Sequence, residues 1–92
     1  MIGRRVKTNA KGLLRDLSRP GDYGRINRTL AQVFGIEAQL YWNVIAPDGS
    51  SCKLAPAIHR VDEHPDGTIT VYPSIVTSSW HGWLVGGVWS AA

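Results

Sequence analysis

Four side chains able to bind a soft metal or act as nucleophile or base lie in the second half of this 92-residue chain: Cys52, His59, His64 and His81. One thiolate and three imidazoles could fill a tetrahedral zinc shell, and such a shell would staple a domain too small for a large core. Their spacing matches no finger-type pattern, since the chain has no Cys-x-x-Cys pair and no His-x-x-x-His pair. A zinc-stabilised domain therefore stays an alternative, and no metal or cofactor is assigned. Nucleophilic catalysis would need Ser74 or Cys52 beside His81 or His59, with Asp62 or Asp66 orienting the base. The Gly-x-Ser-x-Gly elbow that assembles such groups is absent, and the chain is short for a cleft with an oxyanion hole. Asp62, Glu63 and His64 read as a solvated turn. Gly82, Gly86 and Gly87 lack the following helix that would hold a phosphate. No catalytic residue is assigned, and the expectation is a protein that is not an enzyme.

The elements that must carry these residues fall into two parts. Ninety-two residues suit one domain, read as a basic helical part over residues 1–35 and a sheet part over 36–92. Hydrophobic residues at 43% against 18% charged exclude a disordered tail. The single cysteine excludes an internal disulfide and reads as a small buried thiol in a reducing compartment. No apolar run is long enough for a signal peptide or membrane span, so no membrane is expected as partner. Residues 1–28 hold eight basic side chains against two acidic, and the remainder two against five. Such a basic front can draw an anionic partner by long-range attraction.

Val6, Ala10, Leu13, Leu14 and Leu17 recur at helical spacing, with Thr8 or Asn9 as a cap for a shorter helix that leaves residues 1–7 as an arm. Pro20-Gly21 ends this element. Asp22 is placed to cap a second helix, in which Tyr23, Ile26, Leu30, Val33 and Phe34 form the apolar stripe and Gly35 the close. Strand character begins in residues 39–46, with apolar side chains on both faces that predict a central strand. Turns are expected at Pro47-Asp48-Gly49 and at Asp66-Gly67, and strands over residues 51–57, 58–61 and 68–72. Pro73 must end the last of these or sit at an edge. Residues 80–85, the Gly86-Gly87 turn and Val88-Trp89 read as a closing hairpin. The predicted class is α+β: two N-terminal helices followed by an antiparallel meander of about five strands.

Residues 66–75 (Asp-Gly-Thr-Ile-Thr-Val-Tyr-Pro-Ser-Ile), then Trp80-His81-Gly82-Trp83-Leu84 and Val88-Trp89, resemble a family of small uncharacterised phage and prophage proteins. Some of these carry an ammonia monooxygenase-like label in error. The resemblance covers about the last quarter of the chain, and more loosely the half from Tyr41 onward. It implies a small sheet that binds metal through cysteines in the early hairpin and beside the Trp-His element. Those cysteines are missing here, so a metal-free relative stabilised by packing is implied. Together these features point to a viral, bacteriophage protein that binds another macromolecule in the host cytoplasm or the virion, either as a virion component or as a host-defence inhibitor. The expected contacts are Arg15, Arg19, Arg25 and Arg28 on the basic front, with Trp80 and Trp83 as anchors on opposite faces of one strand. A nucleic-acid-binding accessory role for the basic front is the alternative. Oligomeric state is not legible.

Overall fold

The computed structural model describes residues 1–7, 17–25, 42–55 and 58–92. Within them the chain forms β1 (Arg4–Arg5), β2 (Asp22–Arg25), β3 (Trp42–Ile45), β4 (Ser51–Leu54), β5 (Arg60–Glu63), β6 (Ile69–Tyr72), β7 (Ile75–Val76), β8 (His81–Val85) and β9 (Val88–Ala91). These strands make three small sheets in the orders β1-β2-β3-β4, β5-β6 and β7-β8-β9. All pairings are antiparallel except that of β1 with β2. One core draws from every sheet: Tyr23, Trp42, Val44, Ala46 and Leu54 meet Ile69 and Val71, and Ile75, Leu84 and Trp89 close it.

The α+β expectation is corrected. Among the described residues there is no helix, and the basic front contributes strands to the same sheet as β3 and β4. Asp22, expected to cap a helix, instead opens β2, and Tyr23 is buried in a strand flanked on both edges. The reason is non-local pairing. Arg5 and Val44 both sit opposite Tyr23, from positions some twenty residues away in either direction, and no local spacing of apolar residues reports such partners. Ala10, Leu13, Leu14, Ile26, Leu30, Val33 and Phe34, the rest of the expected helical stripes, lie outside the described residues.

The first six residues are no solvated arm. Trp89 N–H donates to the Met1 carbonyl at 2.8 Å, Ile2 bridges Val88, and Gly3 N–H donates to the Gly87 carbonyl at 2.7 Å. Val6 N–H then donates to the Tyr23 carbonyl at 2.8 Å. One extended segment therefore zips the β7-β8-β9 sheet to the β1-β2-β3-β4 sheet.

Local chemistry sets the turns more directly. Gly86 and Gly87 both have positive φ, 54° and 78°, the pair of left-handed conformations that a two-residue hairpin loop demands. The turn is pinned to β6, because Gly87 N–H donates to the Ile69 carbonyl and Gly86 N–H to Thr70 Oγ1. At the β5-β6 turn, Asp66 accepts hydrogen bonds from the Thr68 amide and hydroxyl, which keeps its carboxyl below the usual pKa range. Asp48 does the same work between sheets. Its carboxylate accepts from the hydroxyls of Ser50 in the β3-β4 turn and Ser79 before β8, and these bonds lower its pKa.

Gly82 lies in the middle strand of its sheet, opposite Ile75 on one side and Ala91 on the other. A Cβ there would stand 2.2 Å from the Ser90 carbonyl oxygen and 2.4 Å from the Trp80 ring, closer than atoms can approach. The indole of Trp80 thus covers the position where this glycine has no side chain, an aromatic rescue of the strand. Gly82→Ala is expected to cost about 1–3 kcal/mol through overpacking, read as a lower urea midpoint with an unchanged slope. An unchanged midpoint would show that the strand yields without loss.

Candidate functional site

Strand alternation divides β8 cleanly. Gly82 and Leu84 turn into the core, whereas His81, Trp83 and Val85 point out. Directly opposite residues on neighbouring strands share a face, so Val76 sits beside His81, Ser90 beside Trp83, and Val88 beside Val85. Ile2, bridged to Val88, continues the row. All five of these apolar side chains are more than two-fifths exposed: Ile2 at 85%, Val76 at 61%, Val85 at 55%, Val88 at 47% and Trp83 at 42%. Apolar side chains gathered on one sheet face, here with only His81 and Ser90 among them, are the surface feature that marks interaction sites, whereas scattered exposed apolar residues mark nothing.

The two expected tryptophan anchors separate across this strand. Trp83 is exposed, with its ring 6.1 Å from that of His81. Trp80 packs against the core, edge-on to Trp89 at 5.4 Å between centroids. Of the four arginines expected to bind, Arg15 and Arg28 lie outside the described residues. Arg19 is exposed in the turn before β2. Arg25 and Arg5 are drawn to Glu63, at 3.9 and 2.8 Å, and both guanidiniums lie over the Trp42 ring, at 6.0 and 4.8 Å from its centroid. Part of the basic front is therefore spent inside the protein. Glu63 and Trp42 bind two of its arginines, and Arg4 makes a two-pronged ion pair with buried Asp22.

Asp22 is the most constrained charge. Burial pushes its pKa up, but the Arg4 guanidinium and the backbone amides of Arg19 and Ser18 outweigh this and hold it below the ordinary carboxylate range.

The candidate catalytic groups are only partly assembled. His81 Nε2 lies 2.9 Å from Ser74 Oγ, and His59 Nε2 lies 3.1 Å from the Ser74 carbonyl oxygen. The acids expected to orient such a base are elsewhere: Asp62 is paired with Arg60, and Asp66 is bound in its own turn. Cys52 is partly buried, and burial pushes its thiol pKa up, so it rests as a thiol and not as the reactive thiolate. His64 is bonded to Thr70 Oγ1 at 2.7 Å. Among the described residues no three His, Cys, Asp or Glu side chains converge as a metal-binding group.

Sequence reasoning missed Val76, Val85, Val88 and Ile2. A signal for Val85 is present, because a strand reading of residues 81–85 already puts His81, Trp83 and Val85 on one side. Nothing local places Ile2 there.

Among the described residues, fold and surface thus define a mainly-β arrangement with an open apolar sheet face. No family model, no curated protein and no solved structure matches the chain, so nothing in these comparisons bears on the phage resemblance or supports a viral role.

Proposed function

We propose that this protein acts by binding another macromolecule, without catalysing a reaction, and that the outer face of β7, β8 and β9 is its binding surface. The observation that carries this is the row Val76, Trp83, Val85, Val88 and Ile2, exposed together on one face. Tryptophan is the residue type that most often anchors such surfaces, because its large ring is desolvated at little cost in side-chain freedom. Phosphate binding by the basic front draws less support, since Arg4, Arg5 and Arg25 have acidic partners within the protein.

The test compares nuclease-treated capture by tagged wild-type protein with capture by Trp83→Ser, both shown folded by circular dichroism. The expected result is a nuclease-resistant partner whose affinity falls about 30-fold in the variant, the size of one hot-spot residue. Equal capture by the variant, or a catch that vanishes with nuclease, would overturn the proposal.

A further inference from the structure

We infer that the occupant of this open face is a second copy of the chain, two protomers packing their β7-β8-β9 sheets face to face about a twofold axis. The inference rests on the binding role proposed above and names the partner.

Charge is the first support. The side chains that project from the face, Ile2, Val76, His81, Trp83, Val85 and Val88, include no Asp, Glu, Lys or Arg, and neither does Ser90 beside them. A charged partner would gain no complementary contact here, whereas two copies meet without setting like charges against one another. Other strands present charge outward: Lys53 is exposed on β4, and Arg60 and Glu63 on β5. A twofold contact centred on Lys53 would oppose like charges.

Shape is the second. Trp83 and Ser90 are direct cross-strand neighbours, both exposed, so the largest side chain on the face stands beside the smallest. A twofold interface requires that where one residue of the first copy meets a second residue of the other, the reverse contact also forms. An axis passing beside this pair satisfies the requirement, because each Trp83 then fills the hollow over the other copy's Ser90. Two sheets packed about 10 Å apart leave room for side chains to interdigitate in this way.

Area is the third. The exposed surface of these side chains amounts to about 700 Å² a copy, and burying most of it on both gives about 1,200 Å², the lower edge of the range for specific interfaces. That lower edge is where weak, transient associations sit.

Sedimentation velocity on the full chain, from about 1 to 500 µM, tests this over the range of weak association. The expected result is a mass that rises with concentration from 10.1 kDa toward twice that value. Trp83→Glu, which puts a charge at the centre of the face, is expected to weaken association at least about 30-fold. Ser90→Trp, which fills the hollow from an exposed position, should weaken it as well. Lys53→Glu, on β4, should leave it unchanged. A wild-type monomer at 500 µM, or a dimer that survives both Trp83→Glu and Ser90→Trp with the fold intact, overturns the inference. If the wild type is monomeric yet Trp83→Ser still loses a captured partner, the second copy is wrong and the binding face stands. If Trp83 substitutions alter neither mass nor capture, both readings fall.

Discussion

Replacing Trp89 by alanine is expected to cost about 4 kcal/mol, a large fraction of the roughly 5–15 kcal/mol that holds a small domain folded. The indole is 2% exposed and belongs to the core cluster, edge-on to Trp80. Its Nε1–H donates a buried hydrogen bond to the Gly21 carbonyl at 2.9 Å, joining β9 to the turn before β2. The backbone of the same residue pairs with Met1 on both its N–H and its carbonyl. Three segments distant in sequence therefore meet at one side chain, and truncation leaves a cavity that they cannot all close. Trp89→Phe separates the parts: it keeps most of the ring, loses the hydrogen bond, and is expected to cost about half as much. Urea unfolding followed by far-ultraviolet circular dichroism checks both. A loss below about 1 kcal/mol for alanine would mean that the core rearranges around the gap.

Asp22→Ala is the second large effect, about 2–4 kcal/mol at pH 7, because it strands the Ser18 and Arg19 amides and removes the partner of Arg4 from a buried position. The pH dependence carries the sharper signature. Asp22 is held below the ordinary carboxylate range when folded, so the stability it contributes is complete above the unfolded carboxylate pKa and is lost as pH falls through the folded one. Wild-type protein is therefore expected to weaken progressively from about pH 4 downward. Asp48 and Asp66, also depressed but by exposed hydroxyl and amide donors, add to the same slope. Asp22→Asn keeps the side-chain shape without the titrating group. It should be less stable at pH 7 and lose stability less steeply on acidification, as read from thermal midpoints between pH 2 and 7. Parallel acid limbs for the two proteins would assign the acid sensitivity to other carboxylates.

About half of the candidate site is legible in the sequence. Alternation around Trp83 separates it from Trp80, because strand periodicity depends only on the pleat. The partners of Trp83 on that face are harder to read. Ser90 and Val88 follow from the hairpin register set by Gly86-Gly87, while Val76 needs the return of β7 onto β8, which a two-residue strand does not announce. The arginines mislead for a related reason. Charge along the sequence says how many cations the front holds, and only packing says that Glu63 and Trp42 hold two of them.

By itself the sequence determined the glycine turns, while Asp62 and Glu63, read as turn residues, are drawn into β5 by pairing with Thr70 and Ile69. The Gly49, Gly67 and Gly86-Gly87 positions take left-handed backbone, and the alternating runs between them leave few other choices. Tertiary structure alone decided the fate of Arg4, Arg5 and residues 22–25. Their apolar spacing fits a helix, yet Tyr23 is a strand residue because residues far along the chain supply its hydrogen bonds and bury its ring, and long-range pairing outweighs local propensity wherever both edges of a segment find partners. Among the described residues, the same pairing leaves one face of β8 and β9 with nothing over it. That open face is a property of the assembled sheets, and no single stretch of the sequence contains it.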